Sequence, residues 1–184
     1  MSLGALGRRW IAVAVAWLAA AAMPAWALDG GQARAIAVGD GDARIAALDE
    51  AVDRGTPGLA AFVQALLDDS VKTTADGVFV VRDDQAVDAV TGRPAKLPDD
   101  AEDVSNNNRM RAALQAALDG LHLRSKDVAE RRAAVDELAQ ADADPALLPV
   151  LRKALAAETD DALKARLGRL VATAQVASPD RGQR

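Results

Sequence analysis

The chain has no cysteine, no tyrosine, a single histidine (His122) and only two phenylalanines. The missing cysteine excludes a disulfide scaffold, a thiolate zinc site and a cysteine nucleophile. One histidine excludes a metal site built on paired imidazoles. A net charge of −5 leaves no cation excess to neutralise phosphates, which argues against nucleic acid as a partner. What is present is alanine-rich and half apolar. Hydrophobic residues make up 51% of the 184, too many for a wholly disordered chain. One or two small acidic domains remain.

Residues 1–27 read as an export signal. Arg8 and Arg9 form a charged start, Trp10 to Ala22 is an uninterrupted apolar run, and Pro24 breaks it. Ala25-Trp26-Ala27 gives the small-x-small cleavage pattern before Leu28. The arginine pair alone suggests twin-arginine export, but the rest of that motif is missing, so the general secretory route is expected. An uncleaved anchor is the alternative; the apolar run is shorter than the ~20 residues that span a bilayer. All three tryptophans lie in this segment. No later stretch is apolar enough to cross a membrane, so membrane contact is expected only through this segment or a partner. The expected location is the periplasm, beside the inner membrane.

Residues 28–41 carry four glycines and little pattern, and read as a flexible leader. From Asp42 a helical period appears: Ile45, Leu48 and Val52 form a stripe, with Arg44, Asp49, Glu50 and Asp53 on the other faces. Arg54-Gly55 stops that helix. Thr56 as cap and Pro57 as first residue open a second, with Leu59, Phe62, Val63, Leu66 and Leu67 inward. The two read as an antiparallel helical hairpin. Val78 to Val81 and Ala86 to Val90 then predict a small β-hairpin at about 77–92, laid against the helices because two strands alone are marginal. Pro98 to Asp103 reads as an acidic loop. Further helices follow: from the Asn106 to Asn108 run to Gly120, from a Ser125 cap, from Asp144-Pro145, and from Thr159 or Asp160 through Val171. Residues 178–184 read as the start of one more repeat.

The helical segments repeat. Arg44-Ile45-Ala46-Ala47-Leu48-Asp49-Glu50 aligns with Arg131-Arg132-Ala133-Ala134-Val135-Asp136-Glu137, and Thr56-Pro57-Gly58-Leu59 with Asp144-Pro145-Ala146-Leu147. A weaker copy matches Ser125 with Thr159 and Arg132 with Arg166. Helical pairs of this kind resemble HEAT-type repeats, in which no hairpin buries its apolar face alone and neighbours must stack. The expected fold is therefore mainly α: HEAT-like stacked helical hairpins over residues 42–177, with a small inserted β-hairpin.

No catalytic pattern assembles. His122 lies between two leucines near a helix end, Ser125 suits a cap, and no G-x-S-x-G, Walker or H-E-x-x-H motif occurs. The chain is not expected to be an enzyme, and no cofactor or metal is expected. The carboxylates from Asp99 to Asp103 lack the order and the glycine of a calcium loop. One asparagine of the Asn106 to Asn108 run is expected to cap the helix and a neighbour to tie down the loop before it.

The most specific stretch runs from Asp76 to Ser125. It holds a strand pair, Asp88-Ala89-Val90-Thr91-Gly92, Leu97-Pro98, Asn107-Asn108-Arg109-Met110-Arg111-Ala112-Ala113-Leu114 and Leu121-His122-Leu123-Arg124-Ser125, in that order. This order resembles the N-terminal extracytoplasmic region of the urea ABC transporter permease subunit, of the branched-chain-amino-acid-type permease family. There a signal peptide precedes HEAT-like helical pairs around a D-x-x-T-G hairpin and an N-N-R-x-R-x-x-L helix. The resemblance implies a role in urea uptake through contacts with other transporter subunits, the permease core and the solute-binding protein. The family continues into a multi-spanning translocation domain that these residues do not include, and no substrate-path residue has a counterpart here. Expected partner contacts are Phe79, Val81, Asp88, Thr91, Asn107, Asn108, Arg109 and Arg111, because their segments interrupt the plain repeat. The competing expectation for these residues is internal packing, with Arg109 and Arg111 paired to the Asp99 to Asp103 loop. A free periplasmic scaffold unrelated to transport is the alternative function.

Overall fold

A computed structural model describes residues 28–141 and 144–178. The export segment 1–27 and residues 179–184 lie outside the described residues. Among the described residues the protein is mainly helical, with seven α-helices and a small antiparallel sheet.

The expected leader is instead structured. Asp29 accepts the Gln32 N–H at 2.8 Å and caps α1 (Gly30–Ala37). Leu28, Ala33, Ile36 and Ala37 are buried in the core. The helix is too short to show a period, and of the glycines around it Gly39 takes positive φ, at 120°. The α2 helix (Gly41–Arg54) follows the predicted stripe, is capped by Asp40, and stops at left-handed Gly55. One of its residues departs from expectation: Arg44 is buried, not on a solvated face.

The α3 helix (Leu59–Leu67) starts at Leu59, after a turn in which Leu59 donates to the Thr56 carbonyl. Thr56 and Pro57 therefore precede the helix, and Gly58 stands at its cap with φ 76°, a conformation that glycine adopts without strain. Leu59, Phe62, Val63 and Leu66 are fully buried. The α2 and α3 helices each pack on α4 (Asn108–Leu123) more than on each other, so the expected simple hairpin is a three-helix arrangement.

Between α3 and α4 the expected hairpin is part of a five-stranded sheet. Strands β1 (Val71–Thr73), β2 (Val78–Arg82), β3 (Gln85–Asp88), β4 (Pro94–Ala95) and β5 (Glu102–Asp103) lie in the order β4-β3-β2-β1-β5. Asp83 and Asp84, both at positive φ, turn β2 into β3. The acidic loop is partly ordered as edge strand β5, with Asp103 paired to Lys72 across it. Val71, Val78 and Val80 are buried on the face that meets α1.

Gly120 does not end α4. It lies within the helix, where a Cβ would stand 3.1 Å from Val150 Cγ1, so glycine lets α6 (Leu148–Ala157) approach. The α5 helix (Val128–Gln140) is capped by Asp127 rather than Ser125; Ser125 Oγ accepts the Asp127 N–H instead. A 3-10 turn at Pro145–Leu147 leads into α6, and Asp160 caps α7 (Asp161–Ala177). Both α5 and α6 pack on α7.

Two apolar cores result. The first runs from Leu28 to Leu118 and joins α1, α2, α3, the sheet and α4 as far as Leu118. The second runs from Leu123 to Ala174 and joins the end of α4 to α5, α6 and α7. Met110, Leu114 and Leu118 of α4 and Leu163, Leu167 and Val171 of α7 are all buried.

Candidate functional site

The aligned arginines Arg44 and Arg131 each bridge two separate segments, with different acceptors. Arg44 donates Nε to the Ile36 carbonyl at 2.8 Å and Nη1 to the Ser105 carbonyl at 2.9 Å. Its Nη2 donates to Asn106 Oδ1 at 2.6 Å. Arg131 donates Nη1 to the Ser125 carbonyl at 3.0 Å, Nε to Glu158 Oε2 at 2.8 Å and Nη2 to Glu158 Oε1 at 3.1 Å. Each guanidinium thus ties the segment before its own helix to the residues just ahead of a later helix, α4 or α7. Burial pushes the Arg44 pKa down, and its acceptors are all neutral. The Glu158 side chain is 1% exposed. Its hydrogen bonds from Arg131 first, and from the Asp160 and Thr159 N–H groups, hold the carboxyl at about 2, against the opposing effect of burial.

The expected contact residues divide in two. Asp88 Oδ1 accepts the Val90 and Thr91 N–H groups, Thr91 Oγ1 accepts the Arg93 N–H, and Gly92 takes φ 66°. The Asp-x-x-Thr-Gly motif therefore builds the turn after β3. Asn107 caps α4 by accepting the Met110 N–H at 2.9 Å, and Asn106 donates Nδ2 to the Leu66 carbonyl at 2.8 Å. Arg109 pairs with Asp42, and Arg111 with Asp69 and the Leu67 carbonyl. The arginines thus do pair internally, but with α2 and the end of α3 rather than with the Asp99 to Asp103 loop. Phe79, Val81 and Asn108 remain on the surface side. Phe79 and Val81 are half-buried on the sheet face opposite Val78 and Val80, and Phe79 lies in register between Lys72 and Asp88. Asn108 is exposed at the first position of α4.

His122 is half-buried in the last turn of α4, beside a groove that also borders Gly58, Ser125 and Lys126. Among the described residues no group of three or more His, Cys, Asp or Glu is placed to hold a metal ion. No described helix is long and apolar enough to cross a membrane.

Sequence reasoning missed a cleft of about 330 Å³ between α2 and α6, floored by α4. Asp49, Val52 and Asp53 form one wall, and Pro149, Val150 and Lys153 the other. Ala113, Ala116, Ala117 and Gly120 lie beneath, and Arg124 closes one end. Lys153 reaches across to Asp53 at 2.9 Å and holds its carboxyl below the usual range. Arg124 donates to the Val52 carbonyl at 3.0 Å. Only a contact between distant elements places these residues together, so spacing along the chain gives no signal for it.

No protein-family model, curated protein or solved structure matches the chain.

Proposed function

We propose that this chain is an exported, HEAT-like repeat domain that serves urea uptake by contacting the permease core and solute-binding protein of an ABC transporter. The repeat reading is supported above all by the aligned Arg44 and Arg131, each of which bonds to residues just ahead of a later helix, α4 or α7. In such folds, units that cannot bury their faces alone stack into a framework whose working part is its surface. The transporter reading rests on the ordered Asp-x-x-Thr-Gly and Asn-Asn-Arg-x-Arg motifs. With most of the motif residues engaged in turns, caps and ion pairs, the surface left for a partner is the outer sheet face around Phe79 and Val81, with Asn108. The experiment is uptake of radiolabelled urea by cells with and without the gene. Loss of urea uptake, with uptake of an unrelated solute unchanged and restoration by the wild-type gene, is the expected result. Equal urea uptake in both strains would overturn the reading in favour of a scaffold unrelated to transport.

A further inference from the structure

The two cores meet along a single helix. The α4 helix contributes Leu114, Ala117 and Leu118 to the first and Leu123 to the second, with Gly120 between them. On either side of this spine stand α2 and α6, each packed on α4 and not broadly on one another. The cleft separates them, and Asp53–Lys153 is the ion pair that spans it. Both partners are more than half exposed, at 59% and 62% of their side-chain surface. Such a pair has little desolvation to overcome, forms and breaks readily, and is screened by salt.

We propose that Asp53–Lys153 is a latch, and that its release lets α6 move away from α2 about the Gly120 region of α4, widening the cleft. Three features serve this motion. Gly120 carries no side chain where Val150 of α6 lies against α4, so Val150 slides over backbone rather than against a Cβ. The floor residues Ala113 and Ala117 pack into the first core with α2, and like Ala116 they offer only short side chains to α6. The Arg124 bond to the Val52 carbonyl fastens the end of α4 to α2 and leaves α6 as the movable wall. Opening would bare Val52 and Val150, which the closed cleft partly shields. An exposed pair shifts a two-state balance by at most about fivefold, so the latch sets populations rather than locking one state.

The absence of native cysteine allows paired spin labels at chosen sites. Ala46→Cys on α2 and Ala156→Cys on α6, both exposed, are introduced into the full chain, and the label-to-label distance is measured by pulsed electron resonance. Lys153→Glu sets two carboxylates face to face. The expected result is growth of a longer-distance population, up to about fivefold, with the far-UV spectrum unchanged. High salt should move the wild-type distribution the same way. The charge-swapped variant Asp53→Lys with Lys153→Asp should restore the short distance. Arg54→Glu breaks an exposed pair within α2 alone and should leave the distribution in place. An unchanged distribution in Lys153→Glu would overturn the latch, as would an equal shift in Arg54→Glu or a charge swap that restores nothing.

Discussion

Replacing Glu158 with glutamine removes the most fully engaged charge in the second core. Its carboxylate accepts two bonds from Arg131, and the Thr159 and Asp160 N–H groups at 2.8 and 2.9 Å. Glutamine keeps one acceptor oxygen but turns an amide N–H₂ toward the guanidinium and leaves Arg131 without its paired carboxylate, with only the more distant charges of Asp127 and Asp160 nearby. Breaking a buried pair from one side costs about 3–5 kcal/mol. Arg131 retains 15% exposure, so water relieves part of the loss and the lower figure of about 3 kcal/mol applies. In a chain of this size that lowers the melting temperature by about 6–12 °C, read by far-UV circular dichroism. The effect should depend on pH. The folded carboxyl titrates at about 2, below the ordinary 4.5, so its stabilisation is complete above 4.5 and fades as pH falls through 2. Wild type and Glu158→Gln should therefore converge on acidification. A drop below about 2 °C at neutral pH, or a difference that persists at the acid end, would mean that the Glu158 charge contributes little to folding.

Arg44→Met leaves the Ile36 and Ser105 carbonyls and Asn106 Oδ1 without their donor, and should cost about 3 kcal/mol by chemical denaturation. Hydrogen exchange should localise that loss to α1 and the start of α4, not to α7. Asp88→Ala removes the acceptor for two turn N–H groups and should cost about 1 kcal/mol; Gly92→Ala, at φ 66°, should cost a similar amount through backbone strain. Unchanged melting in both would show that the motif does not build the turn. Asp119→Asn should be neutral to slightly stabilising at neutral pH, within about 0.5 kcal/mol, because the side chain is half-buried, water screens its charge and Gln115 donates to it. Burial raises the Asp119 pKa, so the folded state disfavours its charge at neutral pH and regains stability as pH falls. The advantage of the asparagine should therefore shrink in acid.

Long amphipathic helices were legible because their stripes repeat over several turns: Leu48, Phe62, Leu114, Leu151 and Leu167 are all buried. What escaped was short or inverted. The eight residues of α1 give two helical turns at most, and glycines at its start mimic a linker. Edge strands β4 and β5, of two residues each, carry no alternation to read. Arg44 and Glu158 escaped because charged residues read as solvated, although the alignment of Arg44 with Arg131 already pointed to a shared task. The Asp88 to Gly92 and Asn107 to Arg111 motifs stood out from the repeat, but most of their distinctiveness serves turns, a cap and ion pairs. The cleft was invisible because α2, α4 and α6 come together only in three dimensions.

The most direct test of a surface-acting transporter domain is binding between the purified full chain and a purified urea-specific solute-binding protein or permease from the same cells, by biolayer interferometry. Saturable binding that Val81→Arg abolishes, while Glu158→Gln at a temperature where it remains folded leaves it intact, is the predicted result. No binding to either subunit, or binding indifferent to Val81→Arg, would contradict the account.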